Sequence, residues 1–251
     1  MLLEHVLQKP RSWLLAHDTD AVTPQDSARF LTLAAERRQG KPMAQLLGQR
    51  EFMGHDFLVT PDVLIPRPET ELLVEVGLSA LEGLRNPTVL DMGTGSGAVA
   101  ISLALARPDA FVVATDLSEK ALAVAQDNAQ KHSARVQWWQ GSWYEALPPE
   151  GQFELIVSNP PYIVAGDPHL EQGDLRFEPA MALTDGADGL SAIRQIVAGA
   201  PERLKPGGQL WLEHGYDQSA AVQQLMLAAG LKNVQSLPDL AGILRVRSEE
   251  R

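Results

Sequence analysis

The sequence of 251 residues contains no cysteine, which excludes disulfide bridges and with them one mark of a secreted protein. It also has no run of about 18 apolar residues, the length that a membrane-spanning helix needs. The first residues, MLLEHVLQKPRSW, carry charges early and lack a cleavage site of small residues, unlike a signal peptide. Together these absences predict a cytoplasmic protein without a membrane segment.

Basic residues are scarce after the first fifth of the chain. Residues 1–50 contain seven Lys or Arg and five Asp or Glu, whereas residues 51–251 contain 14 and 27. Because phosphate contacts require Lys and Arg, this acidic body predicts no direct binding of nucleic acid. It is compatible with a small cofactor or with a protein partner that has a basic face. The histidines show no metal-ligand spacing, so no metal site is predicted.

Patterns of helix and strand divide the chain into three predicted parts. Residues 1–45 have helical periodicity, with Thr23 as the N-cap of TPQDSARFLTLAAERR. Residues 46–66 are expected to form a hairpin-like connector, after which Thr70 is expected to cap a helix. In residues 67–251 helical segments alternate with seven predicted strands: TVLDM, FVVATD, RVQWWQ, FELIVS, GQLWLEHG, KNVQSL and ILRVR. This alternation predicts an α/β fold with a mostly parallel sheet and helices on both faces.

A glycine-rich loop, LDMGTGSGAVA (90–100), follows the first of these strands. Gly93, Gly95 and Gly97 allow a tight turn and close approach of a ligand to the backbone, and the following helix supplies free N–H groups. Asp116 ends the next strand, where a carboxylate can accept hydrogen bonds from both ribose hydroxyls of an adenosine group. The spacing favours adenosine binding over a bare tight turn, but it is not that of dinucleotide folds or P-loops. Asp91 either holds the loop or faces the cofactor.

Three tryptophans lie on or just after the third predicted strand, RVQWWQ. Trp138 and Trp139 alternate on that strand and are expected to pack in the core. Trp143 lies beyond it, in GSWYEAL, at the carboxyl edge of the sheet where ligands bind in open α/β folds. Its position fits packing against an adenine ring and core packing equally well.

The segment SNPPY (158–162) ends the fourth predicted strand on the same edge as the glycine loop. Its two prolines fix φ and remove two N–H donors, so the turn presents carbonyl groups. Asn159 adds a side-chain carbonyl and Tyr162 an aromatic face. Two acceptors and a ring suit a planar –NH2 group, and hence methyl transfer to nitrogen. The alternative is a rigid Pro-Pro loop without chemistry.

Glu213 and His214 have the residue types of an acid/base pair. Both stand at the end of a predicted strand, where a structural role is the better interpretation. No catalytic role is assigned to either residue.

The glycine loop, Asp116 and NPPY together resemble the release factor glutamine methyltransferases, within the class I S-adenosylmethionine-dependent amino-methyltransferases. The matching pieces are FLVTPDVLIPRPETELLVE (57–75), LDMGTGSGAVAISLA (90–104), IVSNPPYI (156–163), RFEPAMALTDGADGL (176–190) and LEHGYDQ (212–218). Two features depart from the family: the N-terminal part is short, and Ile243 and Leu244 stand where the family usually has polar residues.

The resemblance implies a Rossmann-like fold with a seven-stranded sheet and a small N-terminal helical domain that contacts the substrate. It implies methylation of the amide nitrogen N5 of the glutamine in the Gly-Gly-Gln motif of class I peptide chain release factors. A monomer is expected, although no sequence feature carries that expectation. The implied cofactor-binding residues are Gly93, Thr94, Gly95, Ser96, Gly97, Asp116, Trp143 and Asn159. The implied substrate-binding residues are Asn159, Pro160, Pro161 and Tyr162, of which Asn159, Pro160 and Tyr162 are assigned to catalysis.

Two other functions stay open. An adenine-N6 methyltransferase of nucleic acids would use a similar turn around an exocyclic amine, but it would need a basic surface or a recognition insert. A non-catalytic adenosine-binding protein on the same fold would not need acceptors for an amide. The identity of the cofactor and of the methyl acceptor would distinguish these functions.

Overall fold

The computed structural model describes residues 1–238, 242 and 244–250. Their helices are α1 (Leu2–Leu7), α2 (Arg11–Ala16), α3 (Pro24–Arg38), α4 (Met43–Leu47), α5 (Glu71–Ala80), α6 (Ala98–Ala106), α7 (Glu119–His132), α8 (Ala180–Leu183), α9 (Ser191–Arg203) and α10 (Ser219–Ala228). Their strands are β1 (Gln49–Phe52), β2 (His55–Leu58), β3 (Thr88–Met92), β4 (Phe111–Asp116), β5 (Val136–Gln140), β6 (Phe153–Ser158), β7 (Leu204–Glu213), β8 (Lys232–Pro238) and β9 (Leu244–Glu250). Across these residues, every helix is too short or too polar to span a membrane.

The main sheet has seven strands in the order β5-β4-β3-β6-β7-β9-β8. Neighbouring strands from β5 to β7 are parallel, whereas β9 runs antiparallel to both of its neighbours. The predicted mostly parallel sheet is therefore confirmed. Strand β4 pairs with one side of β3, and β6 pairs with its other side, so the strand order reverses at β3. Open α/β sheets bind ligands at such a reversal.

Both faces of the sheet are buried, as the alternating pattern predicts. Val89 of β3 and Leu155 of β6 pack into a first apolar cluster beneath α5 and α6. Their neighbours Leu90 and Ile156 point to the opposite face and pack into a second cluster beneath α9 and α10. Successive residues of a strand alternate between faces, so a strand buried on both sides must be apolar throughout. This double burial holds the carboxyl ends of β3 and β6 side by side.

The N-terminal helices are much less buried. The predicted cap of α3 is confirmed, since the Thr23 hydroxyl accepts a hydrogen bond of 3.1 Å from the backbone N–H of Asp26. Val6 is the only buried side chain in α1, α2 and α3. The hairpin of β1 and β2 follows within the predicted connector. The division of the chain after residues 45 and 66 stays a prediction.

Two expectations about single residues need correction. Thr70 stands at the N-cap position of α5 as expected, but its side chain makes no capping hydrogen bond, because the residue ends a short 3-10 helix, Pro68–Thr70, and its hydroxyl bonds elsewhere. Trp139 is 38% exposed because β5 is an edge strand, whereas Trp138 packs against the first cluster as expected. Of the two unusual tail residues, Ile243 lies outside the described residues, and Leu244 begins β9.

Candidate active site

The glycine loop joins β3 to α6 at the carboxyl edge of the sheet. Its start is tied to β4, because the backbone N–H groups of Gly93 and Thr94 both donate to the Thr115 carbonyl, at 2.9 and 3.0 Å. Gly97 has a φ of +81°, and a Cβ there would lie 2.9 Å from the Ile101 side chain, so only glycine fits without rearrangement. A Cβ on Gly95 would meet no atom within 4 Å. The loop therefore packs tightly at its end and leaves open space at its centre.

Asp91 holds this loop, which answers the question that the sequence left open. Its buried carboxylate accepts hydrogen bonds from the Thr94 hydroxyl at 2.6 Å and from the Ala100 backbone N–H at 3.2 Å. Burial raises the pKa of Asp91 to about 7, although the hydrogen bond from Thr94 acts in the opposite direction. The neighbouring charge of Asp116 adds to the increase.

Asp116 lies at the end of β4, beside the open centre of the loop. One carboxylate oxygen accepts a hydrogen bond from the Gly95 N–H at 2.9 Å, and the other accepts from the Ser118 N–H at 2.8 Å. Burial raises the pKa of its carboxyl, and the hydrogen bonds from backbone N–H groups oppose the increase. These bonds direct the carboxylate to the place where the loop leaves room.

Trp143 stands above the glycine loop. It begins a 3-10 helix, Trp143–Ala146, with a φ of +43°, a conformation that is uncommon and strained for a residue with a side chain. The nearest atom of its ring lies 3.5 Å from the position of a Cβ on Gly93. The sequence-based expectation that Trp143 sits at the carboxyl edge thus agrees with its place over the loop.

Two adjoining cavities lie at this edge. The larger has a volume of about 300 Å³, within the range of small-molecule sites, and the predicted site residues in its lining are Gly93, Gly95, Asp116, Trp143, Asn159 and Pro161. The smaller, of about 50 Å³, has a mainly apolar lining in which the polar residues are Arg67, Thr70, Asp91, Thr94, Ser96 and Asn159. Gly93, Gly95 and Asn159 line both cavities. Gly97 belongs to neither lining, in keeping with its close packing.

The SNPPY turn is fastened to the glycine loop by its first residue. The Ser158 hydroxyl donates to the Met92 carbonyl at 2.6 Å, which joins the carboxyl ends of β6 and β3. Asn159 follows at the junction of the two cavities, and Pro160 is buried. Within the part of the chain that the structure describes, neither the Asn159 side-chain oxygen nor the Pro160 carbonyl accepts a hydrogen bond. Both oxygens are therefore available as acceptors.

The Tyr162 ring does not lie where the sequence predicted, as an aromatic face turned toward the –NH2 group of a substrate. Its ring packs against the second cluster, and its hydroxyl donates to a carboxylate oxygen of Glu213 at 3.2 Å. Its backbone carbonyl accepts a hydrogen bond of 3.0 Å from the Gln218 side chain. Tyr162 is therefore held at three points behind the turn.

The sequence predicted a structural role for Glu213 and a capping role for Thr70, and the structure brings both residues to this site. Glu213 is 2% exposed, and its second carboxylate oxygen accepts a hydrogen bond of 2.7 Å from the Thr70 hydroxyl. Thr70 in turn accepts a hydrogen bond of 3.1 Å from the side-chain amide of Asn159. One signal could have pointed to Glu213: it ends a strand that pairs with β6, so it reaches the same edge. The neighbouring His214 directs its Nδ1 to the Gly215 carbonyl instead.

Neither Arg67 nor Glu178 was predicted to belong to the site. The buried Glu178 carboxylate pairs with the Arg67 guanidinium and accepts a hydrogen bond of 2.8 Å from the Ile65 N–H. Burial raises the pKa of Glu178, while the charge of Arg67 opposes the increase. The pair joins two segments distant in sequence and fixes Arg67 at the wall of the smaller cavity.

Comparisons with known proteins agree with this geometry. Residues 69–174 match the family described as the methyltransferase small domain, and residues 1–48 match the PrmC N-terminal domain. The chain is 61% identical to the release factor glutamine methyltransferase of Bordetella pertussis, over 98% of this chain and 91% of that protein. It is 54% identical to the protein of the same name from Burkholderia pseudomallei, over 98% of this chain and 88% of that one.

Solved structures show the same fold at lower identity. The 16S rRNA N2 G1207 methyltransferase of Thermus thermophilus, solved with AdoMet and guanosine, is 25% identical with a TM-score of 0.59. That alignment covers 81% of this chain and 49% of the other. A methyltransferase from Pyrococcus furiosus is 18% identical with a TM-score of 0.56, over 91% of this chain and 98% of the other. The folds, the matched families and the identities along nearly the whole chain lead to one assignment: this chain belongs to the release factor glutamine methyltransferase family.

Proposed function

We propose that this enzyme uses the acceptors of its SNPPY turn to methylate the side-chain amide nitrogen of glutamine in the Gly-Gly-Gln motif of class I peptide chain release factors. The observation that carries this proposal is that, among the described residues, two successive oxygens accept no hydrogen bond: that of the Asn159 side chain, beside the glycine loop, and the Pro160 carbonyl that follows it. A primary amide has two hydrogens on nitrogen, and two acceptors match them.

The donor is S-adenosylmethionine, which supplies an electrophilic methyl group on a sulfonium when bound. The site fits such a molecule because Gly95 leaves open space beside the N-terminus of α6 and Asp116 faces that space. Asp116 is assigned to the ribose hydroxyls and Trp143 to the adenine ring, both in the larger cavity. The smaller cavity, with the charged Arg67 in its wall, suits the amino acid end.

The residues of the turn act on the nucleophile. An amide nitrogen is a poor nucleophile because its lone pair is delocalised into the carbonyl group. Acceptors on both hydrogens orient the nitrogen and stabilise the positive charge that develops on it during attack. Asn159 and Pro160 provide these acceptors, while Pro161 and Tyr162 keep the turn rigid. The nitrogen would gain a bond to the methyl carbon as the carbon–sulfur bond of the donor breaks and leaves S-adenosylhomocysteine, and it would then release one proton, so no strong base is needed beforehand.

The N-terminal helices are proposed to recognise the release factor. Support comes from the match of residues 1–48 to the PrmC N-terminal domain and from the exposure of α1 to α3. Release factors approach RNA and are locally basic, which fits the acidic remainder of this chain. We propose that the enzyme works in the cytoplasm as a monomer, without binding nucleic acid directly. A complex whose affinity did not fall with rising salt would contradict the electrostatic part of this proposal.

Labelled methyl transfer tests the function directly. The enzyme is incubated with methyl-labelled S-adenosylmethionine and either a release factor or the same factor with Gln→Ala in its Gly-Gly-Gln motif. Label is expected in the first protein and not in the second. Equal labelling of both proteins would overturn the assignment to glutamine.

A further inference from the structure

We propose that Glu213, acting through Thr70, sets which end of the Asn159 amide faces the substrate, an inference that rests on the proposed acceptor role of Asn159. Neither Glu213 nor Thr70 is assigned contact with the reacting atoms. They are positioning residues that lock the Asn159 oxygen toward the methyl acceptor.

The orientation of the Asn159 amide depends on the single hydrogen of the Thr70 hydroxyl. A threonine hydroxyl has one hydrogen to donate and can accept through its lone pairs, whereas a carboxylate only accepts. The hydroxyl lies 2.7 Å from a Glu213 carboxylate oxygen, a distance typical of a strong hydrogen bond. Thr70 therefore donates its only hydroxyl hydrogen to Glu213.

The hydrogen bond from Thr70 to Glu213 fixes the orientation of the Asn159 amide. Because Thr70 has no hydrogen left, it can only accept a hydrogen bond from Asn159. The group 3.1 Å from its oxygen must then be the –NH2 end of the Asn159 amide. The amide is planar, with its oxygen and nitrogen on opposite branches, so the oxygen is left facing away from Thr70 and free to accept.

This orientation matters because the two ends of an asparagine amide have almost the same size and shape. Only their hydrogen-bond partners distinguish them. In the reverse orientation, an –NH2 group would meet the –NH2 group of the substrate, and two donors would face each other. The acceptor that stabilises charge at the substrate nitrogen would be lost, although every atom of the turn stayed in place.

Burial makes the arrangement resistant to water. Glu213 is 2% exposed and Thr70 is 5% exposed, so solvent does not readily supply substitute partners. Glu213 also accepts from the Tyr162 hydroxyl, so one carboxylate positions both the amide and the aromatic residue of the turn. Buried polar networks of this kind impose a single arrangement on their members.

Three variants separate this role from simple packing. Thr70→Val removes the hydroxyl and keeps the shape, Thr70→Ser keeps the hydroxyl, and Glu213→Gln replaces one acceptor oxygen with a donor. The side-chain amide protons of Asn159 are observed by NMR in ¹⁵N-labelled enzyme and assigned by their absence in Asn159→Ala. We expect slowly exchanging protons in the wild type and in Thr70→Ser, and faster exchange with shifted resonances in Thr70→Val and Glu213→Gln. Unchanged signals in Thr70→Val would overturn the inference.

Kinetics provide a second readout. For Thr70→Val and Glu213→Gln we expect kcat to fall by roughly 10- to 100-fold, the scale of a misplaced catalytic group, with the dissociation constant of the cofactor nearly unchanged. Thr70→Ser should stay within about threefold of the wild type, since it retains the hydrogen bond. Equal losses in Thr70→Ser and Thr70→Val would contradict the role of the hydroxyl.

The two readouts also separate this inference from the proposed function. If the wild type did not methylate the release factor glutamine, the proposed function would fail. The NMR comparison needs neither release factor nor turnover, so the orientation of Asn159 would still be decided by it.

Discussion

The N-terminal helices and the carboxyl edge of the sheet are built in opposite ways. In α1 to α3 a single side chain, Val6, is buried, and Leu15 and Leu31 are 71% and 62% exposed. At the edge of the sheet, two apolar clusters enclose the strands, and each polar side chain of the turn has a defined hydrogen-bond partner.

The difference fits the two tasks proposed above, chemistry at the edge of the sheet and docking by the N-terminal helices. Placing a methyl acceptor demands atoms held to fractions of an ångström, whereas docking a large protein tolerates a region of low local stability. The two parts are linked by a few polar contacts. Arg176 donates to the Gln39 carbonyl at 2.7 Å, and Gln45 donates to the Phe177 carbonyl at 3.0 Å. Changes at the edge should therefore affect chemistry, and changes at the link should affect docking.

The largest effect is expected at the edge, from Asn159→Ala. Loss of the acceptor should lower kcat by roughly 100-fold or more, by analogy with other lost charge-stabilising contacts. The dissociation constant of the cofactor should change little, because the loop and Asp116 stay in place. Turnover assays and calorimetric titration measure the two quantities. Unchanged turnover would remove Asn159 from its role.

The packed and open parts of the glycine loop can be compared through Gly97→Ala and Gly95→Ala. At Gly97 a Cβ meets Ile101 at 2.9 Å and Ala125 at 3.1 Å, so we expect a loss of about 2–4 kcal/mol in the free energy of unfolding. At Gly95, where φ is +56° but the space is open, the loss should be about 1 kcal/mol. Urea unfolding measures both, and equal losses would show that crowding is not the cause.

Asp91 should give the edge an unusual pH dependence. Its pKa is about 7 in the folded chain against an ordinary value of 3.8, so the folded state binds more protons between these values. Stability contributed by the protonated carboxyl is present below pH 4 and is lost as the pH rises toward and through 7. Asp91→Asn, which cannot ionise, should remove that loss. The check is the difference in free energy of unfolding between the wild type and Asp91→Asn from pH 4 to 8, and a difference independent of pH would contradict the assignment.

The smallest effect is expected at the link, from Arg176→Met. It removes the bond to Gln39, so amide exchange in α3 should accelerate by roughly 3- to 10-fold. Exchange in β3 and β6, and the affinity for cofactor, should stay the same, while KM for the release factor rises. Arg194→Met, which breaks an exposed ion pair with Asp188 elsewhere, serves as the matched control. Equal acceleration in β3 would show that the two regions are not separate units.

Features carried by neighbouring residues were predictable from the sequence. Thr23 and Asp26 form a cap within one helical turn, and the glycine loop, Asp116 and SNPPY each follow a strand with a clear pattern. The hydrogen bonds that join Glu213, Thr70 and Asn159 were not predictable, because Thr70 lies 143 positions from Glu213 and 89 positions from Asn159. A threonine before a helix normally suggests a cap, and only the tertiary fold redirects its hydroxyl. Trp139 was misjudged for a similar reason, since strand order decides which strand lies at an edge.

The position of Trp143 has a spectroscopic consequence. Its indole stands over Gly93 in the wall of the larger cavity, where any occupant would change the polarity around it. We expect the emission of this indole to change with occupancy, whereas the other four tryptophans of the chain are absent from the lining of this cavity. The intrinsic fluorescence of Trp143 should therefore serve to follow cofactor binding, and Trp143→Phe should abolish the change.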